Sequence, residues 1–244
     1  MRGARYADRC AACVSFQSAG SVEAIAPLHN DKVCMFITFE GIDGSGKTTQ
    51  AQRVERWLRM QGHTVEPVRD PGSTHVAEQV RALLLDPEVA LDDRAELFLF
   101  AAARAQLVAE RIRPALQRGA VVLCDRFYDS TTAYQGGGRE VAPIAWLRTL
   151  HRQTTDGLMP DRTYIIDVSV QEAAMRRSAH PDDRLEQEDI AFYKRVRAAY
   201  QTLAEDDPKR VCLIDGTGTP EQVQKAIRAD LRRVWPDVEV GTPS

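Results

Sequence analysis

Short apolar runs alternate with longer amphipathic stretches along this 244-residue chain. Five runs read as strands: Phe36–Glu40, Thr64–Val68, Ala120–Cys124, Thr163–Asp167 and Val211–Ile214. Helical periodicity marks Lys47–Met60, Val76–Leu85, Arg94–Arg118 (with Gly119 as its stop signal), Pro143–His151, Asp189–Glu205 and Pro220–Trp235. Ala120–Cys124 is apolar throughout, which suggests burial on both faces of a sheet. Strands alternating with helices predict an α/β fold, a five-stranded parallel sheet flanked by helices on both faces. Right-handed crossovers then gather the functional loops at the carboxyl ends of the strands. With no internal repeat and no linker, one domain is expected over residues 35–236. Residues 1–34 read as a dispensable leader and 237–244 as a C-terminal tail.

Composition narrows the picture. A hydrophobic content of 43% is enough to bury a substantial core. A formal net charge of −3 argues against a surface that tracks nucleic acid. There is no apolar run of 18 residues, so no membrane-spanning helix is expected, and the apolar stretch near Ala11–Phe16 is too short and polar for a signal peptide. The five cysteines form no even framework, and the Cys10–Cys13 pair has no second pair to complete a metal site. A reducing cytoplasm is the expected setting. Basic residues are overwhelmingly arginine; lysine occurs only at 32, 47, 194, 209 and 225, which singles out Lys47 inside a glycine-rich stretch.

Gly41-Ile42-Asp43-Gly44-Ser45-Gly46-Lys47-Thr48 matches GxxxxGK[ST], with a strand before it and a helix after it. In such a P-loop the glycines let backbone N–H groups turn towards phosphate oxygens, and the helix start adds its partial positive charge. An ATP site over residues 41–49, ending at Thr49, follows, with Lys47 reaching the β- and γ-phosphates and Thr48 holding Mg²⁺. Asp125 ends a buried strand, the position where a carboxylate holds the same ion or its waters.

The motif leaves the acceptor open. No guanine-reading NKxD motif is found, which argues against a GTPase. A hydroxyl acceptor usually wants a general base. A phosphate acceptor does not, because its second pKa of ~6 leaves it largely dianionic. Repulsion between phosphates is then the difficulty, and Arg69, Arg104, Arg126, Arg139, Arg176, Arg177 and Arg184 supply planar cations suited to it.

From Met35 to about Trp235 the chain resembles bacterial thymidylate kinases, members of the P-loop nucleoside monophosphate kinases. The resemblance rests on GIDGSGKTT, Arg69-Asp-Pro-Gly72, Leu99-Phe100-Ala-Ala-Ala-Arg104, Asp125-Arg126-Phe127, Ser130-Thr-Thr-Ala-Tyr-Gln-Gly-Gly-Gly-Arg139 and Asp183-Arg184-Leu-Glu186. It implies the P-loop kinase fold, transfer of the ATP γ-phosphoryl to dTMP in support of dTTP synthesis, and a homodimer. It also implies roles. Phe100 would stack on thymine, Arg104 would bond the base edge, and Thr131, with Ser130 and Gln135 beside it, would read the polar edge. Tyr134 would lie where a 2′-hydroxyl would sit. Asp43 would meet the sugar, and Arg69 and Arg126 would grip the acceptor phosphate.

The polar stretch Arg176–Arg184 resembles the family's short mobile lid. Position 44 is glycine and the lid holds arginines, which matches the form of the family whose catalytic arginine sits in the lid; Arg177 and Arg184 are the candidates. One departure is Asp70, where the family usually carries glutamate. Two other readings stand beside this one: another P-loop kinase, such as a deoxynucleoside kinase, and a nucleotide-binding regulator without turnover.

Overall fold

Met35–Glu40 (β1) is buried at every position, and its alternate side chains divide between two cores. The structure is a computed structural model and describes residues 34–177 and 188–239. β1 pairs in parallel with Val121–Asp125 (β3) on one side and with Arg162–Asp167 (β4) on the other. Val65–Arg69 (β2) and Val211–Asp215 (β5) form the edges, giving the order β2-β3-β1-β4-β5. The five expected strands are all present, each within a residue of its expected bounds. From β1 the chain travels to one side of the sheet, and after β3 it crosses to the other. The loops after β1 and β3 therefore diverge and leave a crevice at their carboxyl ends.

Met35, Ile37 and Phe39 face Lys47–Met60 (α1) and Pro220–Val234 (α9), packing on Val54, Trp57, Leu58, Ile227 and Leu231. Full burial of each such side chain contributes about 1.5–3 kcal/mol. Phe36 points to the opposite face, towards Val122, Leu107 and Phe127. Period-two alternation puts Thr38 and Glu40 on that face as well, both without solvent exposure. The packed chain extends past Trp235, because Val238 joins the core and its carbonyl bonds His63 Nε2 at 2.7 Å.

Three local readings are corrected. After His75–Leu85 (α2), which starts one residue before its expected bounds, the helix expected over 94–118 runs as Asp93–Leu107 (α3), a π-helical stretch Val108–Ile112 and Arg113–Gln117 (α4), so its second half is interrupted. Thr132–Gly138 is π-helical, continuing Tyr128–Thr131 (α5), where helix was not expected across three glycines. The glycines are there for packing. A Cβ on Gly137 would strike Ala199, and one on Gly138 would come within 2.5 Å of Phe192, both on Ile190–Asp206 (α8). Finally, Arg176 and Arg177, assigned to a lid loop, lie in the last turn of the helix Val170–Arg177 (α7). Ile144–Thr154 (α6) completes the set of described α-helices.

Candidate active site

The P-loop connects β1 to α1. Gly46 precedes the helix at φ 92°, a left-handed conformation that favours glycine. No described side chain caps α1 and its first turn carries no acid, so its positive end is left for an anion. Gly44 sits at φ 84°, and a Cβ there would run into the carbonyl of Ala173 on α7. That leaves no room for a side chain at this P-loop position. Ile42 packs into the core beside β4, while Thr48 and Thr49 face solvent.

Charges cluster where the P-loop meets the crevice. Lys47 Nζ donates to Asp43 at 3.2 Å. Arg126, at φ 68°, donates to the Gly41 carbonyl at 3.0 Å, to Ser130 Oγ at 3.1 Å and to the Asp43 carboxylate. Tyr134 Oη donates to the other Asp43 oxygen at 2.8 Å. Burial works against the Asp43 charge, but Arg126 and Lys47 hold its carboxyl well below the usual carboxylate range. Burial and the neighbouring Arg126 push the Lys47 ammonium down. Burial opposes the Arg126 charge too, yet Asp43 keeps it firmly protonated. This is a concentrated pair of cations over one carboxylate, able to receive phosphate groups.

A cavity opens from that cluster and ends on Arg104, which is 2% exposed. Its Nε donates to Asp70 Oδ2 at 2.5 Å and its Nη2 to Thr131 Oγ1 at 2.9 Å. Nη1 of Arg104 and Oδ1 of Asp70 are buried without a described hydrogen-bond partner, a donor and an acceptor left for a ligand. Burial raises the Asp70 carboxyl while Arg104 opposes the rise. Phe100 forms an apolar wall with Pro71 and Leu85.

Of the residues expected to meet the acceptor, Asp43, Phe100, Arg104, Arg126, Ser130, Thr131, Tyr134 and Gln135 all line this one cavity. Arg69 does not; its guanidinium is bound at 2.9 and 3.1 Å by Glu78 on α2. Arg177 lies beside Gly44 with its guanidinium 4.4 Å over the Tyr193 ring. Arg176 ties the P-loop carbonyl of Ser45 to that of Gly216. Arg184, with the Asp183–Glu186 motif, lies outside the described residues, as do residues 1–33 and 240–244.

Sequence reasoning missed the carboxylates that hold these side chains. Glu96, fully buried, fixes the Gln135 amide at 2.9 Å and Arg139 at 2.9 Å. Glu40 accepts from the Phe127 N–H at 2.7 Å and the hydroxyls of Ser130 and Tyr200 at 2.5 and 3.1 Å. Burial and nearby Asp129 push its carboxyl up to about 8. A carboxylate at the end of an apolar strand was the available signal for Glu40, the same one that drew attention to Asp125.

Thr48 Oγ1 donates to Asp125 Oδ2 at 2.5 Å, and Asp125 Oδ1 is buried with no described partner. A hydroxyl and a carboxylate oxygen side by side at a P-loop suit a magnesium ion that draws its remaining ligands from water and phosphate. Consistent with that sparse protein contribution, no cluster of three His, Cys, Asp or Glu side chains suited to a metal occurs among the described residues.

The family model described as Thymidylate kinase matches residues 39–227. The chain belongs to the thymidylate kinase family. It is 48% identical over 201 residues to a thymidylate kinase of Thermomicrobium roseum, covering 82% of this chain and 95% of that protein. A thymidylate kinase of Bifidobacterium longum subsp. infantis is 45% identical, with 83% and 88% covered. Among solved structures, the crystal structure of thymidylate kinase from Ehrlichia chaffeensis is similar at a TM-score of 0.69 and 35% identity, covering 81% of this chain and 98% of that one. The architecture is thus that of the P-loop kinases.

Proposed function

We propose that this enzyme transfers the γ-phosphoryl group of ATP to the 5′-phosphate of dTMP in the crevice between the P-loop and Arg126, yielding dTDP for dTTP synthesis. The observation that carries the reading is a single cavity with Asp43, itself bonded by Lys47, and Arg126 at one end and Phe100 with the unpaired Arg104 Nη1 at the other. Its length joins a phosphate-binding end to a base-binding end, as a nucleoside monophosphate requires.

Residues 41–49 hold the ATP phosphates through backbone N–H groups and Lys47. Arg126 grips the acceptor phosphate, and Arg69 joins it by leaving Glu78. Phe100 stacks on thymine, Arg104 and Thr131 bond its edge with Ser130 and Gln135 alongside, and Tyr134, pinned by Asp43, occupies the space of a 2′-hydroxyl. Asp43 also orients the sugar. No general base is needed, because the nucleophile is already ionised. Arg177 or Arg184 adds positive charge as the phosphoryl group transfers. Thr48 and Asp125 would hold Mg²⁺, which supplies charge neutralisation at the β- and γ-phosphates.

Two copies are proposed to pair through the outer helices. Phe98 on α3 and Trp146 on α6 are 47% and 44% exposed with their rings 6.2 Å apart, and Val76 and Leu83 on neighbouring α2 are exposed too. Sedimentation showing only monomer at micromolar concentration would remove the dimer from this account. The cytoplasm is the proposed compartment; among the described residues no helix is long and apolar enough to cross a membrane.

The deciding assay couples ADP release to turnover with dTMP, dUMP, UMP, CMP, AMP, GMP and thymidine. Turnover concentrated on dTMP supports the pocket. Activity on thymidine but not dTMP would mean a hydroxyl nucleophile and would overturn the mechanism.

A further inference from the structure

Glu40 is fully buried, ends the central strand, and has no part in the transfer as described above. It belongs to a row of β1 groups that meet the turn after β3. The Phe39 carbonyl accepts the Arg126 N–H at 2.9 Å, Glu40 Oε1 accepts the Phe127 N–H at 2.7 Å, and the Gly41 carbonyl accepts Arg126 Nη1 at 3.0 Å. Three consecutive residues therefore hold the one non-glycine residue between β3 and α5 that adopts a left-handed backbone, at φ 68°. Without such contacts an arginine would leave this conformation, which is unfavourable for an L-residue, and its guanidinium would move with it.

The second carboxylate oxygen works on the side chain. Arg126 Nη1 donates to Ser130 Oγ at 3.1 Å and to Tyr200 Oη at 3.4 Å. Those hydroxyl oxygens lie 2.8 Å apart, and both hydroxyls donate to Glu40 Oε2. Donation thus runs from the guanidinium through two hydroxyls and ends on Glu40, from α5 and α8 at once. From these contacts we infer that Glu40 is a positioning residue for phosphate recognition: it aims Arg126 by holding the Phe127 N–H with one oxygen and the Ser130 and Tyr200 hydroxyls with the other. The inference rests on dTMP as acceptor and adds a residue that touches neither substrate.

Glu40→Gln tests it, because glutamine keeps the shape but offers one acceptor oxygen where two are used. Calorimetry with dTMP and with thymidine separates the phosphate grip from the rest of the pocket. The expected result is dTMP binding about tenfold weaker, the size of one lost hydrogen bond, with thymidine binding unchanged. KM for ATP should stay the same. Tyr200→Phe, which removes one hydroxyl and no charge, should move the same ratio by less. Equal weakening of dTMP and thymidine, or no change in their ratio in either variant, would overturn the inference. Equal affinities for dTMP and thymidine in the parent enzyme would instead overturn the acceptor reading on which it rests.

Discussion

The two ends of the crevice are built by different means. The P-loop end is contiguous: residues 41–48 turn from β1 into α1, and glycine conformations with a free helix start make the anion site. The cavity end is assembled from the turn after β2, α2, α3 and the stretch after β3, and its polar side chains are held by the carboxylates of Asp43, Asp70 and Glu96. Backbone recognition needs only local sequence. Side-chain recognition inside a protein needs partners, since an unpaired buried charge is costly. Damage should therefore separate: the P-loop end loses rate, the cavity end loses stability and affinity together.

The largest expected effect is on rate. Lys47→Ala should lower kcat on the order of 10³-fold, comparable to losing a preorganised charge at the transferring group. Its thermal midpoint should stay near the parent's, because Asp43 keeps Arg126 and Tyr134 as partners. A parent-like kcat would break the comparison. Next, Asp70→Ala leaves the Arg104 guanidinium buried with Thr131, the Phe127 carbonyl and the Phe127 ring but no counter-charge bonded to it. Denaturant unfolding should show a loss of about 3 kcal/mol together with weaker dTMP binding. Lost affinity at unchanged stability would mean that the pair serves recognition alone.

Phe100→Ala should weaken dTMP binding by roughly 1–3 kcal/mol, the range for one base–aromatic stack, and leave KM for ATP unchanged. An equal effect on both substrates would argue against stacking. The last effect is reached through pH. His151, buried against Tyr128 and bonded to Thr132, is pushed by burial and by Arg104 and Arg210 from 6.5 down to about 3. Below pH 6.5 the unfolded chain takes up a proton that the fold refuses, so stability is lost as pH falls towards 3, by up to about 1.4 kcal/mol per pH unit. His151→Gln should flatten that part of the stability–pH curve; an unaltered acid limb would remove His151 as its source.

Much of the fold was legible because its signals are periodic. The helix Lys47–Met60 has the bounds expected from its pattern, and the strand runs needed shifts of a single residue. The π-helical stretch at Val108–Ile112 was not legible, since one extra residue in a turn leaves no compositional mark. Helix across Gly136–Gly138 ran against propensity, and the close approach of α6 at Gly136 and of α8 at Gly137 and Gly138 accounts for it.

The sequence by itself determined the sheet, the P-loop and eight of the twelve residues that line the cavity, because periodicity and local motifs depend on neighbours in the chain. Tertiary structure decided which carboxylate holds which arginine. Arg69 faces Glu78, Arg104 faces Asp70, Arg126 faces Asp43, and Glu40 stands behind the Asp-Arg-Phe turn. Those pairings join residues up to 87 positions apart along the chain, and burial rather than sequence distance sets their strength.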